Sequence, residues 1–503
     1  MPFSTKFINL FFSARRKKLD KYCIFPSEIQ NEQFEYLIEN GRKTLFGKKY
    51  GFDKIKCYND FRRSVPLTDY DSFKEYITQC KEGHDSVIWP GPIKWFAKSS
   101  GTTSDVSKFI PVSSNGLWDC HMRGPKDIVA TVASLFPDTK AYEGKTLTLG
   151  GSHKLDTTGN GTRSGDLSAI LIENTPTWAA WKRTPKAATA LISDFEKKVE
   201  QIAKETVNDN ITAFAGVPSW NLVMMNKIIE ITGKNNLNEI WPNLELFVHG
   251  GMNFEPYREQ YEKIIPSARM RYLETYNASE GFFAIQDNPN RNDMLLMLDY
   301  GIFYEFLPVD KLNEGNAAIP LEAVETGKNY AVIISSSNGL WRYLIGDTVE
   351  FTSKHPYRIR ITGRTKLFIN AFGEELIIDN AEKAIKYACD STNSKIKEFT
   401  AAPLYMSSDS KGAHEWLIEF SELPENIDSF KAALDKKLQE INSDYAAKRY
   451  KDTTLQEPVI KIMKKNAFYD WMQGRGKLGG QNKVPRLAND RKYADELQVY
   501  ILK

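Results

Sequence analysis

The sequence predicts an α/β protein of two domains: a large N-terminal α/β domain with a β-rich subdomain, then a small α+β domain. Three observations carry this. At 503 residues the chain is past the size at which a single core keeps growing, so it divides. Helix and strand patterns alternate between residues 195 and 248, as expected of helices layered on a largely parallel sheet. Beyond residue 290 short apolar runs bounded by turn residues take over, and from about residue 380 helices and strands alternate again.

Taken in order, the first 90 residues read as helices, with Phe34, Leu37 and Ile38 at helical spacing. The opening segment, 1–22, reads as an amphipathic helix. Its apolar stretch is short, its basic cluster follows that stretch, and no small-residue cleavage site comes after it, unlike a signal peptide. A membrane-surface role for Phe7, Phe11 and Phe12 with Arg15, Arg16, Lys17 and Lys18 is the alternative reading. An aromatic-rich run, 87–98, leads into a Ser/Thr/Gly loop, and a short strand follows at 109–112. Then come a helix over 195–207, a strand at 211–214, a helix over 220–232 and a strand at 244–248. Strands are expected at 294–299, 303–306, 331–335 and 367–370, and again at 415–420, flanked by helices over 380–389 and 427–445. A Gly-, Lys- and Arg-rich stretch at 473–486 is too polar for a core and too long for a turn, which favours a functional loop.

Composition narrows the function classes. Hydrophobic residues make up 41% and charged residues 26%, and the net charge is only +3, so a nucleic-acid partner held by a general basic field is not expected. The five cysteines, Cys23, Cys57, Cys80, Cys120 and Cys389, form no C-x-x-C pair. Neither a disulfide framework nor a zinc site is expected, and a reducing cytoplasm suits them. No run of about 18 apolar residues predicts a transmembrane helix.

Four segments could carry chemistry. Ser99, Ser100, Gly101, Thr102, Thr103 and Ser104 form an uncharged loop that can bring N–H groups and hydroxyls to phosphate oxygens, with Lys108 just beyond. Read alone, it is equally a solvated turn; neither G-x-x-x-x-G-K-[ST] nor G-x-G-x-x-G is present. The segment Thr275-Tyr276-Asn277-Ala278-Ser279-Glu280-Gly281 offers a ring to stack on a base and a carboxylate for Mg²⁺; the plain alternative is a strand–turn with Ser279 capping a helix. Asp347, after Gly346 at the end of an apolar run, could accept hydrogen bonds from ribose hydroxyls, or simply mark a turn. Lys483 follows a glycine pair and could reach into a site from a mobile loop to neutralise developing charge.

In this order these motifs resemble the ANL adenylate-forming superfamily, and within it the acyl acid amido synthetases of the auxin-responsive promoter family in a bacterial form. The resemblance runs along nearly the whole chain. It covers Thr44-Leu45-Phe46-Gly47, the run from Trp95 to Thr103, Trp241-Pro242-Asn243-Leu244, the segments 276–280 and 343–347, and Asn482-Lys483-Val484-Pro485-Arg486. It implies an N-terminal adenylate-forming domain over 1–366 and a mobile C-terminal domain over 367–503 that carries Lys483. Ser99, Ser100, Gly101, Thr102 and Thr103 would cradle the ATP phosphates. Tyr276, Ala278 and Ser279 would lie beside the nucleotide, Glu280 would hold Mg²⁺ and Asp347 the ribose, with Arg364 close by. Gly250, Gly251 and Met252 would run past the nucleotide and the acyl carboxylate. Three departures stand out: Asp105 in the loop, Asn482 before the lysine, and an unmatched hinge pattern over 369–375, from which no hinge lysine is transferred.

The implied reaction has two halves. ATP and Mg²⁺ activate a small-molecule carboxylic acid as an acyl-adenylate, and an amine, an amino acid first of all, then takes the acyl group to give an amide and AMP. His121 and Arg123 are weighed as receivers of the acyl carboxylate, against a structural role, and 217–220 as a pocket wall, against Ser219 as an N-cap. An acyl-CoA ligase and a nucleotide-binding protein without turnover remain the alternatives. A monomer or weak homodimer with no membrane span completes the expectation.

Overall fold

The computed structural model describes residues 2–99, 108–149, 155–192, 195–252, 254–312, 314, 317–365, 368–406, 411–452, 454–475 and 484–502. The helical opening is present. Pro26–Gly41 starts on a proline at its first turn and buries Ile29, Phe34, Leu37 and Ile38 on one face. Tyr70–Lys81 starts from a capping box in which Asp69 and Ser72 satisfy each other's backbone N–H, and buries Phe73, Tyr76 and Ile77.

These helices pack on a twelve-stranded sheet. Its order is Ile319–Pro320, Ile302–Pro308, Asn329–Ser336, Tyr343–Lys354, Tyr357–Arg364, Met294–Leu296, Gly281–Ile285, Arg271–Ala278, Leu246–Gly250, Ile211–Gly216, Lys145–Thr148 and Arg183–Thr184. The last five strands are parallel; from Arg271–Ala278 back to Ile319–Pro320 every pair is antiparallel. The change from alternating helix–strand to β texture near residue 290 is this change from parallel to antiparallel pairing. Seven of the eight residues in Asn329–Ser336 are buried, which is why that strand reads as a continuous apolar run.

A smaller sheet pairs Trp95–Ser99 antiparallel with Lys108–Val112, Ser99 standing opposite Lys108. After Arg364 a short hairpin, Phe368–Ile369 with Leu376–Ile377, leads into a separate core. There, helices Ile378–Thr392 and Ile427–Ile441 pack on strands Lys395–Leu404, Ala413–Glu422 and Val459–Ile462. The fold is therefore mixed α/β with a large N-terminal part and a smaller α+β part.

Three expectations are corrected. The helix expected over 427–445 is two, Ile427–Ile441 and Ser443–Arg449. Asn442 leaves the helical region between them, and its side-chain oxygen accepts from Tyr445 N at 2.8 Å, the local competition that makes Asn a cap. Ser279 caps no helix: Ser279 and Glu280 form a two-residue connection between the antiparallel partners Ala278 and Gly281. Ser219 is likewise not the N-cap of Pro218–Thr232, which is Val217; its hydroxyl donates to the Phe372 carbonyl at 3.1 Å.

Among the described residues no helix is long and apolar enough to cross a membrane.

Candidate active site

Parallel sheets present their binding sites at the carboxyl ends of the strands, and Gly250, Gly251, Met252, Tyr276 and Ala278 stand at or just beyond those ends. Leu246–Gly250 and Arg271–Ala278 run side by side with Gly250 opposite Thr275. A side chain at position 250 would meet the Thr275 carbonyl oxygen at 2.4 Å, so only glycine permits this approach. Gly251 and Met252 continue outward; the Gly251 carbonyl accepts from Asn370 Nδ2 at 3.3 Å, and Met252 packs partly against the core behind the parallel strands.

The centre of the cluster is Asp347. It is the register partner of Arg364 across two antiparallel strands, and Arg364 Nε donates to its Oδ1 at 2.8 Å. Its other oxygen accepts from the Tyr276 hydroxyl, also at 2.8 Å. Arg364 continues to Glu375, 3.5 Å away, and its guanidinium lies over the Phe368 ring at 5.3 Å. A carboxylate has about four acceptor positions, so Asp347 retains capacity for ribose hydroxyls while two donors hold it still. Burial and the Asp347 carboxylate push the Tyr276 phenol well above its usual range, so it remains a donor. The Tyr276 ring is buried against Phe283, 4.8 Å between centroids. Its contribution is to hold Asp347; little of the ring is left for a nucleobase. Ala278 is half-buried at the edge of the same core.

Glu280 sits on the hairpin turn beyond Ala278. Burial pushes its carboxyl up to about 7, the Lys108 ammonium pulling the other way. Two residues not singled out by sequence hold this turn. Asn338 is buried and donates to the Glu280 carbonyl at 3.2 Å, and its side-chain oxygen accepts from Ser113 N at 3.1 Å. Cys120 Sγ accepts from Phe282 N at 3.1 Å. Both lean on the π-helical turn Gly116–His121, the kind of irregularity that recurs at functional sites. Gly116 is required there, since a Cβ would fall 1.7 Å from Asn338 Oδ1. A lone Asn in a Ser-Ser-Ser-Asn-Gly run carries no such signal in sequence.

His121 and Arg123 separate from the acyl role weighed for them. His121 is buried, and its Nε2 lies 3.4 Å from Asn338 Nδ2. Burial lowers its pKa to about 4, so it is a neutral strut behind the Glu280 turn. Arg123 is committed to Asp299, donating to its carbonyl at 2.9 Å and its carboxylate at 3.0 Å. Ser100, Gly101, Thr102, Thr103 and Lys483 lie outside the described residues, as does the Ser99 side chain. What is described is their flanks: Ser99 and Lys108 as register partners, and Pro485 to Ala488 bound to the strand Lys395–Leu404.

The second part of the molecule lies directly on the site. Tyr257 donates to the Ala371 carbonyl at 2.7 Å, and Asn370 N donates to Asn489 Oδ1 at 2.6 Å. Residues 370–375 therefore bridge the strand ends and the C-terminal core.

A large mixed α/β part followed by a small α+β part, with the site at the strand ends between them, is the architecture of the adenylate-forming ligases. The chain belongs to the GH3 family, matching its N-terminal domain over residues 15–270, its central domain over 295–364 and its C-terminal domain over 379–492. It is 26% identical to the indole-3-acetic acid-amido synthetase GH3.4 of Arabidopsis thaliana, over 92% of this chain and 89% of that protein. With the jasmonoyl–L-amino acid synthetase JAR6 of Nicotiana attenuata it shares 22%, over 91% and 90%. Among solved structures it is similar to the AtGH3.15 acyl acid amido synthetase in complex with 2,4-DB, with a TM-score of 0.60 at 18% identity over 95% of this chain and 94% of that one. A 2-hydroxyisobutyryl-CoA ligase in complex with 2-HIB-AMP and CoA shares the fold at a TM-score of 0.57 and 13% identity, over 94% and 92%.

Proposed function

We propose that the chain uses ATP to activate a carboxylic acid as an acyl-adenylate and then joins the acyl group to an amine, an amino acid first of all, with release of pyrophosphate and AMP. The observation that carries this reading is the meeting of Asp347, Arg364 and the Glu280 turn with Gly250, Gly251 and Met252 at one end of the sheet, in a member of the GH3 family.

In the first half, a carboxylate oxygen attacks the α-phosphorus and pyrophosphate leaves. Asp347 accepts from the ribose hydroxyls, and Arg364 and Tyr276 fix its carboxylate in advance, so little reorganisation remains. Ser99, Ser100, Gly101, Thr102 and Thr103 surround the phosphates, with Lys108 adding a positive charge on that side. Gly250 and Gly251 leave bare backbone beside the acyl carboxylate, with Met252 next in the chain. Lys483 neutralises the charge that grows on the reacting oxygens.

Glu280 fits Mg²⁺. Among the described residues no group of three or more carboxylates, histidines or cysteines could hold a metal without help, and a single protein carboxylate with nucleotide phosphates is the usual arrangement for Mg²⁺. A carboxyl raised by burial also regains its charged form beside a cation. Held by Glu280, such an ion would supply charge neutralisation at the phosphates. In the second half the amine attacks the mixed anhydride, AMP departs and a proton is lost from nitrogen. Residues 367–503, a domain with its own core, move between the two halves to bring Lys483 in and then to admit the amine.

The reading is tested by carboxylate-dependent exchange of pyrophosphate into ATP across a panel of acids, followed by AMP release with amino acids against coenzyme A. Exchange with no acid would end the ligase reading, and product with coenzyme A alone would end the amide half.

Two variants probe the site. Asp347→Ala is expected to raise the KM for ATP about 10- to 100-fold, the loss of charge-assisted hydrogen bonds to two hydroxyls, while the KM for the acid changes little. For Glu280 the pH sign is definite. A carboxyl raised to about 7 makes the ionised form the costly one in the folded chain; that cost is full above pH 7 and is relieved progressively as pH falls from 7 toward the ordinary carboxyl value of 4.5. Mg²⁺ must displace the proton, so its apparent affinity should fall about tenfold per unit below pH 7. Glu280→Gln should flatten that limb and weaken Mg²⁺ at every pH; a limb unchanged in the variant would remove Glu280 from the metal.

A further inference from the structure

The segment 3–20 forms two helices, Phe3–Phe11 and Ser13–Asp20, whose backbone hydrogen bonds continue through the joint, Phe12 N to Ile8 O at 2.9 Å and Arg16 N to Phe12 O at 2.9 Å. The usual amphipathic arrangement is reversed here. The face on the protein is polar: Thr5 donates to the Thr139 carbonyl at 2.7 Å, Asn9 to the Ala133 carbonyl at 3.0 Å, and Arg16 to Ser134 Oγ at 2.9 Å. Arg15 binds Asp127 and Asp299 together, with contacts of 2.5 Å to each. The outward face carries Phe7, Leu10 and Phe11, at 60%, 75% and 71% exposure.

This orientation is locked. Turning the apolar stripe inward would strip Arg15 from two buried carboxylates, breaking buried ion pairs that Arg123 replaces only at Asp299. The stripe at 7, 10 and 11 continues along the same face as exposed Lys17 and Lys21, with exposed Lys6 beside Phe7. Between residues 1 and 27 there are six lysines and arginines and a single acid, Asp20.

We propose that this face docks on an anionic phospholipid bilayer, with Phe7, Leu10 and Phe11 entering the headgroup–acyl boundary and Lys6, Lys17 and Lys21 meeting lipid phosphates. Exposed rings beside lysines, on a helix that lies along the protein surface, are the composition of an interfacial helix. A second copy of the chain is the poorer occupant. A two-fold contact brings the same patch together from both sides, setting these lysines against one another. The inference does not depend on the reaction proposed above.

The test is co-sedimentation of the full chain with vesicles of phosphatidylglycerol and phosphatidylcholine, against phosphatidylcholine alone. The protein should pellet with the anionic vesicles and release as salt rises. Phe7→Glu with Phe11→Glu should reduce partitioning more than about tenfold, and Lys17→Ala with Lys21→Ala by about fivefold for each charge removed. Because these side chains are exposed, an unchanged thermal midpoint serves as the control for folding. Protein left in the supernatant with anionic vesicles, or bound equally to neutral ones, overturns the inference. So does a dimer in sedimentation equilibrium that the Phe7→Glu, Phe11→Glu chain dissociates, since the occupant would then be a second copy.

Discussion

Lys483→Ala is expected to slow carboxylate-dependent pyrophosphate exchange by about 100- to 1000-fold, the cost of losing one preorganised donor to developing charge, with ATP binding changed only a few-fold. The described neighbours explain why one residue on a long polar stretch could act so specifically. Thr400 donates to the Pro485 carbonyl at 2.6 Å, Ala401 N to the Arg486 carbonyl at 2.9 Å, and Ala488 N to the Ala401 carbonyl at 3.0 Å. Arg486 pairs with Glu382 and Glu398 and lies 4.9 Å from the Phe399 ring centre. The chain is thus fastened to the edge of the C-terminal sheet from two residues after the lysine. The variant should also separate the two half-reactions: aminolysis of a supplied acyl-adenylate should fall far less than exchange. Equal losses in both would mean that Lys483 supports the fold of its segment and not the adenylation step, and unchanged exchange would exclude it from the site.

Much of this architecture is legible from pattern, because the period of burial matches the period of the element. The helix expected over 195–207 and the strands expected at 211–214 and 331–335 lie where one face, or both, meets the core. What pattern misses is polar. Asn442 splits a helix whose apolar spacing runs straight through it, since a cap is a local hydrogen bond and not a periodic signal. The opening helix shows the converse: its amphipathic character is plain in the sequence, but which side faces the protein is decided by Arg15, through acids 112 and 284 residues away. The site follows the same division. Asp347 and Glu280 were readable as carboxylates at the ends of apolar runs, whereas Asn338 and Cys120, which hold the Glu280 turn, act by contacts over 58 and 162 residues of sequence.

Arg342 is the strongest example, and its replacement should be the most destabilising single change. Its side chain is 2% exposed and pairs with Glu305, 1% exposed, through Nε at 2.9 Å and Nη2 at 2.8 Å. Nη1 donates to the carbonyls of Val65 at 2.7 Å and Arg62 at 3.1 Å. One guanidinium thus joins the helical opening, the strand Ile302–Pro308 and the chain leading into Tyr343–Lys354, five residues before Asp347. Among the described residues, Arg342→Ala would leave the buried Glu305 carboxylate with the Tyr58 hydroxyl at 3.0 Å as its remaining side-chain partner, a loss of about 3–5 kcal/mol, read as a lower urea midpoint. Arg342→Lys keeps the charge but not the planar fork, and should fall between the two. Adding Glu305→Leu to Arg342→Met removes both charges and should recover part of the loss. Recovery should stay incomplete, because the Val65 and Arg62 carbonyls lose their donor in either case. Full recovery in the double variant would show that the ion pair alone, and not the bridge to the helices, carries the stability.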